Sequence, residues 1–480
     1  MTALTALLGL GALVGLGEGL RQWGVAARTT RRLVHVGVSL FVASTPLLFS
    51  GPFPVYALAA VFTLLNAAAR SWQWWAGIHA ARPQSWGTVA LPLSVLPAVA
   101  ATWSVSPDRL LAFQTAYLVL ALADPAASWV GERSASDASS KGSTVAGSLT
   151  FAGITLVVTA TLLAGVAGLP VAPVLGVAVG TTLVATLVEA LSHRGWDNLF
   201  VVAAVLLVLV PMQEQFGRIA HLGIALAVGV VFGGLAYTAN ALDERGAATG
   251  GLFAASLVGL GGWPWLVPGI VFFALSSALT GLGRRERDES GRTQTQVLAN
   301  GGVAWAALAI ASITPAGTPY VVDYGYAAFV GALAAAAADT WATELGRYSP
   351  WPPWSLREGR RVPTGTSGAI SVVGTGAAVL GALSVVAAAV LVKGPVVGSD
   401  GWGAALLVGA GVLGMAADST AGAFVQAQYR DPSSGARAEV PPSLDAEPIR
   451  GWTGIGNDGV NVIGTTVGSL TGLAAVFILG

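Results

Sequence analysis

Three aspartates lie deep inside apolar runs: Asp124, Asp339 and Asp418. Each is roughly 7–12 residues from the polar end of its run, about 10–18 Å at the rise of an α-helix. Glu344 follows Asp339 closely, and Asp197-Asn198 and Asn457-Asp458 open two further runs from the same end. A carboxylate at such depth costs several kcal/mol unless it is paired, hydrated or bound to a cation. Three of these acids also point toward the negative ends of their helices, which adds to that cost. Pairing with neighbouring arginines, or a proton relay, accounts for any single one of them. Five acids facing one side, with Asn, Ser, Thr and Gln around them, point to a metal and phosphate site. Hard oxygen donors suit Mg²⁺, which bridges protein carboxylates and nucleotide phosphates. The expected metal ligands are Asp124, Asp197, Asp339, Asp418 and Asp458. The four histidines are scattered, and interface or hydrogen-bonding roles suit them better than zinc. His35 and His193 adjoin polar motif residues and stay candidates for catalysis.

The elements that position these residues follow from composition. The 480 residues are 54% hydrophobic and only 10% charged, too few charges to cover a water-exposed globule. The 63 glycines suit spans that pack closely. The chain has no cysteine, which excludes disulfides, thiolate metal sites and a cysteine nucleophile. A net charge of zero points to no acidic or basic partner, and no aromatic-basic pattern points to nucleic acid. About 16 apolar runs are expected to cross the bilayer, at 3–20, 33–50, 54–69, 88–104, 109–130, 147–168, 171–191, 198–211, 219–239, 249–262, 265–282, 298–313, 320–341, 367–391, 402–425 and 458–479. The run at 249–262 is short for a span. The first run lacks a basic region before it and a small-residue cleavage site after it, so it reads as a retained span.

Alternating these runs across a membrane puts every Lys and Arg on one side except Arg109, Arg218 and Lys393. By the positive-inside rule that side is cytoplasmic and the N-terminus lies outside. The same side receives the longer loops and nearly all the motif residues. The expected fold class is an all-α polytopic integral membrane protein, with two helical bundles at residues 1–239 and 240–480.

Residues 25–235 resemble the phytol kinase and dolichol kinase family, relatives of the membrane cytidylyltransferases. The residues that carry this are Arg31-Arg32-Leu-Val-His35, Ser85-Trp-Gly-Thr88 and Asp124-x-x-Ala127-x-x-x-Gly131. They continue with Lys141-Gly-Ser143-Thr-Val-Ala-Gly147-Ser148 and Glu189-Ala-Leu-Ser192-x-x-Gly195-x-Asp197-Asn198. Ala146 stands where the dolichol kinase version is acidic and looks more like the phytol kinase version. Residues 240–480 look like the phytyl-phosphate kinase family of integral membrane proteins. The matching residues are Gly291-Arg292-Thr-Gln-Thr-Gln296-Val-Leu-Ala-Asn300, Asp339-Thr-x-Ala-Thr343-Glu344-x-Gly346 and Pro363-x-Gly365-Thr366-x-Gly368 with Ser371. Asp418-Ser419-x-x-Gly422-x-x-x-Gln426 and Asn457-Asp458-x-x-Asn461 complete the set.

These resemblances imply two fused kinases that convert an isoprenoid alcohol first to its monophosphate and then to its diphosphate. CTP is the implied donor of the first step, and the nucleotide of the second is left open. Asp124 and Asp197 would hold Mg²⁺ in the first half, with His35 or Glu189 as base. Lys141, Ser143, Gly147 and Ser148, with Arg31, Arg32, Gly131 and Asn198, would meet the nucleotide. In the second half the expected site comprises Asp339, Glu344, Asp418 and Asp458, with Arg292, Gln296, Asn300, Thr343, Gly365, Thr366, Ser419, Gln426, Asn457 and Asn461. A monophosphate acceptor is already anionic and needs charge screening more than a base. Arg284, Arg285, Arg287 and Arg292 crowd one loop and Arg347, Arg357, Arg360 and Arg361 another, which suits that need. Ordinary cytoplasmic charge accounts for the first cluster slightly better.

Three other classes compete. A phosphatidate cytidylyltransferase would use a similar first half and CTP. A secondary transporter would explain many spans and buried acids, and its halves should show repeat symmetry. The motif sets of the two halves differ, so no internal repeat is expected. A non-catalytic scaffold would not need ordered Asp, Asn and Gln motifs on one face.

Overall fold

A backbone in lipid must satisfy its own polar groups, so apolar runs of this length fold as helices. The computed structural model describes residues 3–71, 85–134, 144–166, 170–214, 219–283, 291–314, 321–398, 401–430, 437–439, 443 and 446–479. Each of the sixteen expected runs coincides with a helix. They are α1 Ala3–Gln22, α2 Ala27–Leu48, α3 Phe53–Ser71, α4 Gly87–Ala101, α5 Leu110–Ser134, α6 Val145–Thr161, α7 Val171–Leu191 and α8 Asp197–Glu214. The remainder are α9 Ile219–Thr238, α10 Glu244–Ser256, α11 Trp263–Gly283, α12 Gln294–Ile313, α13 Val321–Gly346, α14 Val372–Lys393, α15 Trp402–Phe424 and α16 Asn457–Leu479. Among the described residues ten helices are, by length and composition, long and apolar enough to cross a membrane. The chain is an all-α polytopic integral membrane protein. The short tenth helix runs on through π-helical turns at Leu257–Gly261 and stops at Gly262, whose φ of 76° ends the helix.

The chain divides into two compact units, Met1–Gly223 and Ile224–Gly480. The division falls inside α9, whereas the apolar pattern places a boundary after residue 239. In unit 1 the central helix is α5, which packs against α2, α6 and α8. Its Phe113, Tyr117 and Leu120 are wholly buried, and the Tyr117 hydroxyl meets Ser94 Oγ of α4 at 2.9 Å. Proline inside α5, at Pro125, removes a backbone donor one residue after Asp124.

In unit 2 the central helix is α13, which packs against α11, α12, α14, α15 and α16. Its residues from Tyr326 to Ala338 are buried almost without break. Close approach is made with small residues: a Cβ on Gly468 would stand 2.6 Å from both Gly331 O and Ala335 Cβ. Gly468→Leu is therefore expected to cost about 1–3 kcal/mol by overpacking. A lowered thermal midpoint of the detergent-solubilised protein would show it, and an unchanged midpoint would contradict this packing. Two small antiparallel ladders lie between helices, β1 Trp354–Ser355 with β2 Ala369–Ile370, and β3 Tyr429–Arg430 with β4 Arg437–Ala438.

Candidate functional site

Unit 1 gathers its polar motif residues where α2, α4, α6 and α8 begin and α5 and α7 end. His35, in the third turn of α2, holds its Nε2 3.2 Å from Leu120 O and 3.4 Å from Asp124 Oδ2. A carbonyl only accepts, so Nε2 carries the proton and Nδ1 is left as the basic nitrogen. Asp124, Asp197, Glu189 and Arg31 complete the charged group: Asp197 feels Asp124, His35 and Arg31, and Glu189 feels both aspartates. Glu189 Oε2 is buried without a hydrogen-bond partner among the described residues. Such an oxygen fits a cation or a ligand hydroxyl.

Three arginines tie the rim together. Arg31 donates to Ser85 Oγ at 2.9 Å, and Arg32 donates to Ser128 Oγ at 3.1 Å and pairs with Glu132 at 2.7 Å. Arg70 donates to Ser85 O at 2.7 Å and lies over the Trp86 ring. Asn198 is buried and donates to Gly87 O at 2.9 Å, so it holds α4 to α8. Gly195 has a φ of 87° and presses on the backbone of Gly87, where a side chain would not fit. At the end of α5, Gly131 leaves room for Thr144, which caps α6 by accepting from Gly147 N at 3.1 Å. Ser148 is in the first turn of that helix, and its N–H donates to Thr144 O at 2.9 Å.

An open-sided apolar groove of about 1220 Å³ leads to this group. Leu10, Val14, Val38, Phe41 and Leu91 are among its walls, and Arg31, His35 and Asn198 are at its polar end. One long apolar chain with a small polar head matches that shape.

Unit 2 has a smaller polar centre. Asp339 of α13 and Asp418 of α15 bring their carboxyls within hydrogen-bond reach of each other. With Asn300 of α12 and Asn461 and Thr465 of α16 they line a small cavity. Asp418 Oδ2 is buried without a hydrogen-bond partner among the described residues. Gly464 makes this possible, because a Cβ there would stand 3.0 Å from Asp418 Cβ. Asn300 also lines a second apolar groove, of about 590 Å³, walled by Phe253, Phe272 and Phe273 and ending at Arg292 and Gln296.

The structure does not gather every expected residue of unit 2 here. Gln296 closes a capping box with Thr293 at the start of α12, and Arg292 donates to Thr280 Oγ1 at 3.0 Å. Glu344 pairs with Arg347 just past the end of α13, and Thr343 is exposed. Arg360 pairs with Glu358 at 2.6 Å, while Arg361 and Gly365 are exposed and Thr366 turns back on Pro363 O. Gln426 is buried and accepts from Ser367 Oγ, and Ser419 Oγ contacts Met415 Sδ at 3.7 Å. Asp458 and Asn457 open α16, outside the lining of the acid cavity. Lys141 and Ser143, and Arg284, Arg285 and Arg287, lie outside the described residues.

Among the described residues no group of three or more His, Asp or Glu side chains is gathered for a metal. Mg²⁺ asks for less, since it takes one or two carboxylates and fills its shell with phosphate oxygens and water. The Asp339–Asp418 pair meets that requirement. So does Asp124 with Asp197. Sequence reasoning missed Ser128, Glu132 and Arg70 as members of the unit 1 site. Thr144 had a readable signal, a capping residue directly before an apolar run; the others depend on long-range contacts.

Residues 227–469 match the family described as integral membrane protein DUF92. An uncharacterised membrane protein of Methanocaldococcus jannaschii is 30% identical over 148 residues, covering 29% of this chain. The match takes in 58% of that relative's length. No solved structure matches.

Proposed function

We infer, for a chain that belongs to the DUF92 family of integral membrane proteins, a phosphotransferase acting on a lipid alcohol and then on its monophosphate. The observation that carries this reading is the unit 1 groove, which ends on His35 with Asp124 3.4 Å away. An isoprenoid alcohol of the phytol or geranylgeraniol type would lay its tail along Leu10, Val38 and Leu91 and bring its hydroxyl to the acids. The donor of the first step is CTP with Mg²⁺, and both motif faces look to the cytoplasm, where nucleotide is available.

The chemistry assigned to each residue is limited to what a phosphoryl transfer needs. The alcohol oxygen attacks the terminal phosphorus, the bond to the bridging oxygen breaks, and the nucleoside diphosphate leaves. The alcohol proton passes to His35 Nδ1 or to Glu189. Asp124 and Asp197 are the oxygen donors suited to Mg²⁺, which when bound screens the triphosphate. In unit 2 the acceptor is a monophosphate, so no base is required. Asp339 and Asp418 would hold Mg²⁺ there, and Arg292 at the end of the second groove offsets the acceptor's charge. Product of the first step that stays in the bilayer beside the second unit keeps a high effective concentration.

The test uses the purified protein in nanodiscs with Mg²⁺, CTP and alcohols of increasing chain length. Phosphorylated lipid is expected, with turnover at a fixed low concentration rising from short prenyl chains to geranylgeraniol. No phosphorylated lipid from any alcohol, with CTP or ATP, would end the kinase reading. Release of pyrophosphate with formation of a CDP-lipid from phosphatidate would put a cytidylyltransferase in its place.

A further inference from the structure

Asp124 and Asp339 stand at the same place in two hairpins built alike. In unit 1 the aspartate is followed by Ala127 and Gly131, and the next helix opens Thr144-Val145-Ala146-Gly147-Ser148. In unit 2 the aspartate is followed at the same intervals by Ala342 and Gly346, and the next helix opens Ser371-Val372-Val373-Gly374-Thr375. The contacts repeat with the spacing. Thr144 Oγ1 accepts from Gly147 N at 3.1 Å, and Ser371 Oγ accepts from Gly374 N at 3.0 Å. A Cβ on Gly147 would stand 3.0 Å from Ala127 O, and one on Gly374 3.0 Å from Ala342 O. A Cβ on Gly131 would meet Thr144 Oγ1 at 2.9 Å, and one on Gly346 would meet Ser371 Oγ at 3.2 Å.

Beyond the hairpin the order of chemical groups repeats as well. The following helix carries an acid near its end, Glu189 in α7 and Asp418 in α15. Each of these acids has one buried oxygen without a hydrogen-bond partner among the described residues. The helix after that opens with Asp197-Asn198 in one unit and Asn457-Asp458 in the other. The pairs α5–α6, α6–α7, α7–α8, α5–α8 and α4–α8 pack together in unit 1. In unit 2 the corresponding pairs α13–α14, α14–α15, α15–α16, α13–α16 and α12–α16 do the same. The expectation of no internal repeat is corrected by these contacts. The Asp, Ala and Gly positions are identical, but the cap, the second acid and the opening Asp/Asn pair differ in residue type or order and in their distance along the chain, which hides the repeat in the sequence.

We propose that the two units are copies of one nucleotide-binding scaffold, so that unit 2 takes its own nucleoside triphosphate and divalent cation. Its phosphates lie between the Asp339–Asp418 cavity and the Ser371–Gly374 turn. This rests on the phosphotransfer reading and adds to it the donor site of the second unit. The seven helical steps from Asp339 to Gly346 span about 10 Å, close to the length of an extended triphosphate. At one end are the acid pair and the amides of Asn300 and Asn461, at the other the first N–H groups of α14.

The experiment counts nucleotide sites on the full chain in nanodiscs, with Mg²⁺ and a saturating mixture of labelled CTP and ATP. Two equivalents are expected. Gly374→Leu, which fills the turn, is expected to remove one equivalent and leave the other, and Gly147→Leu to remove the complementary one. Asp339→Asn and Asp124→Asn, which keep side-chain volume, should each weaken one site at least tenfold if the leucine variants fail to fold. A single equivalent, insensitive to Gly374→Leu and Asp339→Asn but lost in Asp124→Asn, would overturn this inference and leave a kinase in unit 1. No bound nucleotide at all would overturn both.

Discussion

Asp124→Asn is expected to lower phosphorylation of the alcohol about 10³-fold and to leave turnover of added monophosphate within about twofold of wild type. Asparagine keeps the shape of the side chain at the end of the groove, so packing around α5 is preserved. What it removes is the negative charge 3.4 Å from His35 Nε2 and beside Asp197. On the proposed mechanism that charge both holds the cation and orients the base. The measurement is a pair of initial rates from one preparation, geranylgeraniol in one tube and its monophosphate in the other. Equal loss of both rates would mean that the units do not work as separate catalysts. Full retention of alcohol turnover would remove Asp124 from the site.

The complementary change is Asp418→Asn, for which monophosphate is expected to accumulate in place of diphosphate. The ratio of diphosphate to monophosphate should fall by about 10³-fold, because the second step loses one of its two carboxylates. The buried Oδ2 of Asp418, without a hydrogen-bond partner among the described residues, explains the size of the effect. A carboxylate oxygen facing another acid is unfavourable in apolar surroundings unless a cation joins them. The substitution also relieves that repulsion, so the thermal midpoint without nucleotide should hold or rise. Loss of diphosphate with an unchanged or raised midpoint separates a ligand-binding role from a structural one. A lowered midpoint with normal diphosphate would make Asp418 a packing residue.

The Arg360-Arg361 pair shows why charge alone is a poor guide to such a site. It sits in a loop with the motif glycines, yet Arg360 is engaged by Glu358, and Arg361 is exposed. Arg292, a single residue in its motif, reaches the end of an apolar groove that also touches Asn300. Exposed pairs contribute little and are readily exchanged for water, whereas a cation at a groove mouth keeps its field.

Much about this protein is written in its sequence. Helix positions follow from hydrophobic length, because a lipid-facing backbone has few alternatives, and each of the sixteen runs became a helix. The depth of Asp124, Asp339 and Asp418 follows from the same pattern, since rise per residue is constant in a helix. Membership of the candidate sites in the outline of two polar clusters was legible for that reason. Which side chains meet was not. His35 reaches Asp124 across 89 positions of chain, and Asp339 reaches Asp418 across 79, and such contacts depend on how helices pack. That packing is set by glycines such as Gly464 and Gly147, whose role is visible only when the neighbouring backbone is in place. The kinship of the two hairpins was hidden for the same reason. Thr144 and Ser371 differ in sequence but make one and the same cap, and a hydrogen bond conserves geometry rather than residue identity.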